Sequence, residues 1–252
     1  MDSAFEWRYT YKGGAKLLRF VVVPTLFFSF VSMGIDIAAI FFKSDFITIL
    51  FTVIELVGCI WFILILFMSN WKKVVPGALD DLTGVFTAGA LMRYFSENNI
   101  RFEDTEVIVL ATGSEEAGLR GAMDFAKKHS DELSGAETIF IGLDTLAEKE
   151  HIGVNIKDMC STVKLSEKAY NLVSESAKNV GYEIPFSKVG FGATDAAAMA
   201  CAGISATTIT AMDPAPGNYY HTRRDTPDLL KRDVIEETLR ICIETVYQFA
   251  EG

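Results

Sequence analysis

Two long apolar runs, parted by the short link Lys43-Ser44-Asp45, dominate the first quarter of the chain. The second, "FITILFTVIELVGCIWFILILFM" from Phe46 to Met68, carries a single charge, Glu55, and is long enough to cross a bilayer core as a helix. The first, "LLRFVVVPTLFFSFVSMGIDIAAIFF" from Leu17 to Phe42, is nearly as apolar, although Pro24, Gly34 and Asp36 interrupt it. The pattern predicts a transmembrane helical hairpin. A pair of buried core helices is the alternative, but such helices rarely stay apolar on every side for this length. Arg8, Lys12, Lys16 and Arg19 precede the first run and Lys72 and Lys73 follow the second, whereas the link holds one Lys against one Asp. This bias predicts that both ends of the hairpin, and everything after Lys73, face the cytoplasm. Trp61 and Trp71 stand where interfacial anchors often do. Glu55 is a functional candidate by its depth, with pairing inside the hairpin as the other reading.

From Val74 onward the pattern alternates between helical and strand periods. "TGVFTAGALMRYFSENN" reads as an amphipathic helix, "TEVIVLAT" as a buried strand, "EEAGLRGAMDFAKKH" as helix and "ETIFIGL" as strand. A helix around "LSEKAYNLVSESAKNVG", a small-residue helix "TDAAAMACAG", a strand "SATTITA" and a closing helix from about Asp233 complete the series. Such alternation predicts an α/β sandwich around a largely parallel sheet. Functional groups in these folds gather where strands end and helices begin.

The formal net charge of −10 argues against nucleic acid as a partner. Mean hydropathy is +0.26, high because of the two apolar runs. Cys59, Cys160, Cys201 and Cys242 show no CxxC spacing, and one lies inside an apolar run; this fits a reducing compartment better than a disulfide framework.

Acidic residues fall at three predicted strand ends or helix starts. Asp80 and Asp81 sit in "PGALDDLTG", Glu115 and Glu116 in "ATGSEEAGLRG", and Asp144 in "IGLDT"; His221 lies in "NYYHTRRDT" before the last helix. Each alone is most simply a cap, a dipole partner or a solvated side chain. Together, oxygen donors from separate strand ends plus an imidazole make a donor set for one or two zinc ions. Glu115 and Glu116 are neighbours that point different ways. One can bind metal while the other faces a metal-bound water as general base.

"PGALDDLTGVFTAGALMRYF", "GSEEAGLRGA", "GLD" and "YYHTRRDT", in this order, resemble the di-zinc metallopeptidases of the aminopeptidase Y and glutamate carboxypeptidase II family, from about Val74 to the C-terminus. The resemblance implies a three-layer αβα sandwich with a mostly parallel mixed sheet, carrying the hairpin as an insertion. It implies a zinc-dependent, aminopeptidase-like hydrolase that cleaves peptide bonds with a metal-activated water and takes peptides or N-acylated amino compounds. Carried over residue by residue, Asp80 is the bridging ligand and Glu115 the general base. Glu116 and His221 bind one zinc, Asp144 binds the other, and Tyr220 donates to the oxyanion. Asp195, in "GATDAAAMACAGI", takes the acidic place of a Ser-Asp-His segment. Thr194 and Ala196 depart from that segment, so Asp195 is site-adjacent and no ligand.

The family also uses a histidine in a His-x-Asp motif. His129 closes a Lys-rich helix and His151 follows "AEKE"; neither stands in such a motif. The opening "MDS" resembles the end of His-x-Asp-Ser, with Asp2 as the acid that steers the histidine. The expectation is that the sequence is N-terminally truncated and that the chain as given is impaired for want of this ligand. The domain expectation is accordingly 1–16 as the remnant of that first metal motif, 17–73 as the hairpin anchored in lipid, and 74–252 as the catalytic domain. Two other readings stand beside the hydrolase. One is a catalytically impaired relative serving as a scaffold or receptor domain; the other is a membrane transport subunit.

Overall fold

The computed structural model describes residues 4–7, 16–213 and 217–251. It divides into two compact units. The smaller comprises residues 5–76 and 214–224, and the larger comprises residues 77–213 and 225–252 together with the first four residues.

The smaller unit holds strand β1 (Phe5–Trp7), helices α1 (Lys16–Phe41) and α2 (Asp45–Leu66), and strand β2 (Ser69–Val74). β1 and β2 form an antiparallel ribbon, with Glu6 accepting from the Asn70 amide at 3.2 Å. Phe20–Phe41 and Asp45–Leu66 are each 22 residues long, with mean hydropathies of 1.9 and 2.7, enough to cross a membrane by length and composition. Only 17% and 6% of these stretches are buried, which is unlike the core helices of the alternative reading. The helices meet where Gly58 lets the Phe28 ring approach and where Phe20 packs edge-on against Trp61 at 4.7 Å. Thr25 closes the contact, its hydroxyl donating to Val21 O at 2.7 Å and to Trp61 O at 3.2 Å.

The larger unit contains α3 (Leu82–Glu97), α4 (Arg120–Lys128), α5 (Ser130–Gly135), β3 (Ile139–Leu146), β4 (Gly153–Asp158), β5 (Val163–Lys164), α6 (Glu167–Asn179), β6 (Phe186–Lys188), α7 (Asp195–Cys201), β7 (Ser205–Ala211) and α8 (Arg232–Glu251). The sheet is mixed. β3 runs parallel to β7 and β6 parallel to β4, while β4 is antiparallel to β7 and β5.

Strand alternation builds a core on each face of this sheet. Ile141, Leu143, Ile209 and Ala211 join Leu91 and Phe95 of α3, Val173 of α6 and Ile241 of α8. Phe140 and Ala206 point the other way, onto Ala122 and Ala126 of α4 and the small-residue run Ala196–Met199 of α7. Helices therefore cover both faces, giving the three layers expected.

Several local expectations change. Residues 105–112, read as a strand, form no ladder among the described residues, although Val107 packs into one core and Leu110 into the other. The alternation is real, but a strand also needs a neighbour with which to exchange backbone bonds. The helix read from Glu115 starts at Arg120, because a tight turn with Gly118 and Leu119 at positive φ comes first. Asp144 lies inside β3 rather than after it.

Candidate active site

Most of the site residues named from the sequence belong to the larger unit, and the local fold explains how they converge. Asp81 is the N-cap of α3, its carboxylate accepting from Gly84 N at 3.1 Å. It also accepts from Thr145 N at 3.0 Å, which ties the start of α3 to the end of β3. Gly84 makes this approach possible, since a Cβ there would overlap the Leu143 carbonyl oxygen and the Asp81 carboxylate. Asp80 precedes this cap across a cis peptide bond.

The loop bearing Asp80 is held from behind by Asp225. That fully buried carboxylate accepts from Leu79 N at 2.7 Å and from Asp80 N at 3.1 Å. The sequence reading gave Asp225 no role, and the position of an acid just beyond His221 in "HTRRDT" was the only signal for it.

Asp144 is aimed by a register shift in β3. The ladder to β7 slips between Asp144 and Leu146, and Thr145, with φ 49°, takes up the extra residue. A β-branched residue in the left-handed region is strained, as bulges near functional sites often are. The Thr145 hydroxyl donates to Asp144 Oδ1 at 2.7 Å.

Glu115 and Glu116 occupy the turn before α4, where Glu115 O accepts from Gly118 N at 2.9 Å and Leu119 N at 2.8 Å. Gly121 packs so closely on Gly113 that a Cβ would overlap its carbonyl oxygen, pressing the helix start onto the loop. Asp195 opens α7 and accepts from the Thr112 hydroxyl at 2.5 Å. The adjoining Thr194 is itself clasped by buried Asp158, through its N–H at 3.0 Å and its hydroxyl at 2.5 Å.

The electrostatics show how closely these acids are gathered. Burial pushes the Glu115 carboxyl up to about 10, helped by the charges of Asp144, Glu116, Asp195 and Asp80. Asp144 is pushed up to about 7 by burial and then by Asp80, with the Thr145 hydroxyl opposing and Glu116 and Asp158 adding to the rise. Asp81 is raised by burial, Asp144 and Asp80, against the backbone bonds that cap it. Asp80 and Glu116 each offer a carboxylate oxygen within 4.8 Å of the other. Oxygen donors at this spacing fit a divalent metal.

His221 lies in the smaller unit. Its imidazole is buried, at a backbone φ of 53°, with the Trp7 ring centroid at 4.3 Å and that of Tyr220 at 4.2 Å. Trp7 N donates to His221 O at 2.9 Å, so β1 fixes this turn. Asp2 lies outside the described residues. His129 stacks on Phe125 and meets Glu132 at 2.9 Å, and His151 faces Asp213 at 3.8 Å, surface roles for both.

Residues 66–246 match the model of Peptidase family M28. The chain belongs to this family. Among solved structures, the M28 chain is similar to BSAP, a zinc aminopeptidase from Bacillus subtilis (20% identity, TM-score 0.59, covering 69% of this chain and 43% of that one). It is also similar to an aminopeptidase from Aneurinibacillus sp. strain AM-1 (24%, TM-score 0.58, 72% and 41%) and to LapB from Legionella pneumophila (17%, TM-score 0.64, 73% and 50%). At these identities the likeness establishes the fold. The chain spans about two fifths to half the length of these structures.

Proposed function

We propose that the chain carries the metal-binding core of a zinc-dependent, aminopeptidase-like hydrolase held in a membrane by its helical hairpin. The observation that carries this reading is the cluster of Asp80, Glu115, Glu116 and Asp144, in which burial first and neighbouring acids second drive two of the four carboxyls far above their ordinary values. A scaffold protein has no use for so costly a concentration of charge, whereas a divalent cation turns it into binding energy. Family membership and the likeness to a zinc aminopeptidase from Bacillus subtilis support zinc as that cation.

Asp80, Glu116 and His221 are the ligands assigned to one zinc, and Asp80 with Asp144 those assigned to the other. Zinc, when bound, supplies Lewis-acid polarisation of the scissile carbonyl and a lowered pKa for water. Glu115 is the general base: its carboxylate takes the proton from the attacking water and delivers it to the departing amine. Asp225 keeps Asp80 in place through the two backbone amides, and Thr112 and Asp195 brace the segment leading to Glu115. Tyr220 is the residue assigned to donate to oxyanion charge as it develops. The substrates are peptides or N-acylated amino compounds, and the domain from Val74 onward faces the cytoplasm.

Zinc titration of the full chain in detergent, followed by calorimetry, tests the reading. Saturable binding that is lost in both Asp80→Asn and Glu116→Gln is expected. Absence of zinc binding by a folded chain overturns it.

A further inference from the structure

The two apolar helices enclose a polar cleft that the hydrolase reading does not use. A cavity of about 370 Å³ between α1 and α2 is lined by Asp36, Lys43, Asp45, Thr48, Thr52 and Glu55 among others. A second, of about 120 Å³, continues along the same helices past Ser32 and Gly58 and shares Ile35 and Glu55 with the first. On α2, Thr48, Thr52, Glu55 and Cys59 recur at helical spacing and make one stripe. Glu55 lies about 10 Å deeper than Thr48, near the middle of its span. Its carboxylate accepts from Ser32 on α1 at 3.3 Å. Among the described residues, no Lys, Arg or His pairs with Glu55 or Asp36.

We propose that this cleft receives a transmembrane helix from another protein, one that carries a lysine or arginine at the depth of Glu55. The inference rests on the reading of the hairpin as membrane-spanning. Three features select this occupant. Thr48 and Thr52 donate within their own helix, to Ser44 O at 3.0 Å and Thr48 O at 2.9 Å, but lipid tails cannot satisfy the carboxylates, and ionisable groups at such depth pair inside a helical bundle. The cleft extends along both helices and is bordered by small residues: Ser32, Ala39, Thr48 and Thr52 line it. Small residues of this kind let a third backbone approach closely. The cleft is lined by three acids, Asp36, Asp45 and Glu55, against one base, Lys43, and this balance selects a basic partner. A second copy would bring Asp36 and Glu55 against the same acids, while a basic side chain complements them.

The test uses the full chain reconstituted in phosphatidylcholine vesicles. The probe is a synthetic Leu-Ala transmembrane peptide with one central Lys, compared with the same peptide bearing Leu there, and association is read by fluorescence energy transfer. Flotation of the vesicles comes first. A chain that fails to float overturns the membrane reading itself, and the inference falls with it for that distinct reason. For a chain that floats, the Lys peptide should associate, and Glu55→Gln should weaken it roughly tenfold, the scale of one interhelical polar contact in lipid. Asp36→Asn supplies a second variant, and circular dichroism reports whether each hairpin remains helical. Equal association of the two peptides, no association of either, or indifference to both substitutions overturns the proposal. So does Glu55-dependent association of the chain with itself, which would make a second copy the occupant.

Discussion

Thr112 donates its hydroxyl to the carboxylate of Asp195 at 2.5 Å, joining the segment that leads into Glu115 to the first turn of α7. These residues are 83 positions apart in sequence. The bond spans the two elements because Thr194, beside Asp195, is itself held by Asp158. Thr112→Val should therefore destabilise the larger unit by about 1–3 kcal/mol, the scale of removing one donor from a charged acceptor. Urea denaturation checks this, with Thr112→Ser expected to restore most of the loss. Zinc affinity should fall in parallel for the Val variant, since Glu115 and Glu116 follow directly.

Glu115→Gln tests the proposed base while preserving the shape of the site. Hydrolysis of an aminoacyl amide by the zinc-loaded protein should fall about 10²- to 10⁴-fold, the range for loss of a general base. Zinc stoichiometry, read by elemental analysis of the purified variant, should not change. An active variant would remove Glu115 from the role of base.

The crowded carboxyls give the metal-free protein an unusual dependence on pH. Asp144 is raised to about 7 and Glu115 to about 10, both by burial first and by neighbouring acids second. A carboxyl raised in the folded state binds its proton more tightly there than in the unfolded chain. Its ionisation therefore opposes folding, and stability falls as pH rises from the unfolded value near 4 through the folded one. For Asp144 the window is about 4 to 7, and Glu115 extends it upward, at up to about 1.4 kcal/mol per pH unit for each group. Thermal melts of metal-stripped protein should show a lower Tm at pH 8 than at pH 5. Added zinc should raise Tm far more at pH 8, where it replaces protons as the compensating charge.

Glycine at position 84 is demanded by the packing of α3 on β3. Gly84→Ala would drive a methyl into the Leu143 carbonyl and the Asp81 carboxylate, both of which are fixed. A loss of about 1–3 kcal/mol is expected from overpacking alone. A reduced denaturation midpoint together with weaker zinc binding would mark the damage as falling on the metal site. Gly89→Ala on the same helix, where a Cβ meets open space, should be tolerated.

The legible parts of this protein were those written in contiguous sequence. The hairpin shows as two apolar runs, and the acids show because "DDLTG" and "GSEEAG" each set carboxylates in a turn that leads into a helix. What escaped depends on distant partners. Asp225 looks like any loop acid until it is found 145 positions away from the Asp80 amide it holds. Asp158 had no role in the sequence reading, yet it clasps Thr194 across 36 positions. Periodicity alone misjudged residues 105–112, because alternating burial does not supply a paired neighbour. The ribbon of Phe5–Trp7 with Ser69–Val74 was invisible for a similar reason: three residues are too few to show a period.

The proposed membrane orientation of the larger unit can be tested with its own thiols. Cys160 and Cys201 are exposed there, Cys242 is buried, and Cys59 lies within α2. The basic residues flanking the hairpin predict that both exposed thiols face the cytoplasm. A membrane-impermeant maleimide added to intact cells should leave Cys160 and Cys201 unmodified and should label them after permeabilisation. Cys160→Ser and Cys201→Ser identify the labelled positions by mass spectrometry. Reaction of either thiol in sealed cells would reverse the orientation and place the metal cluster outside.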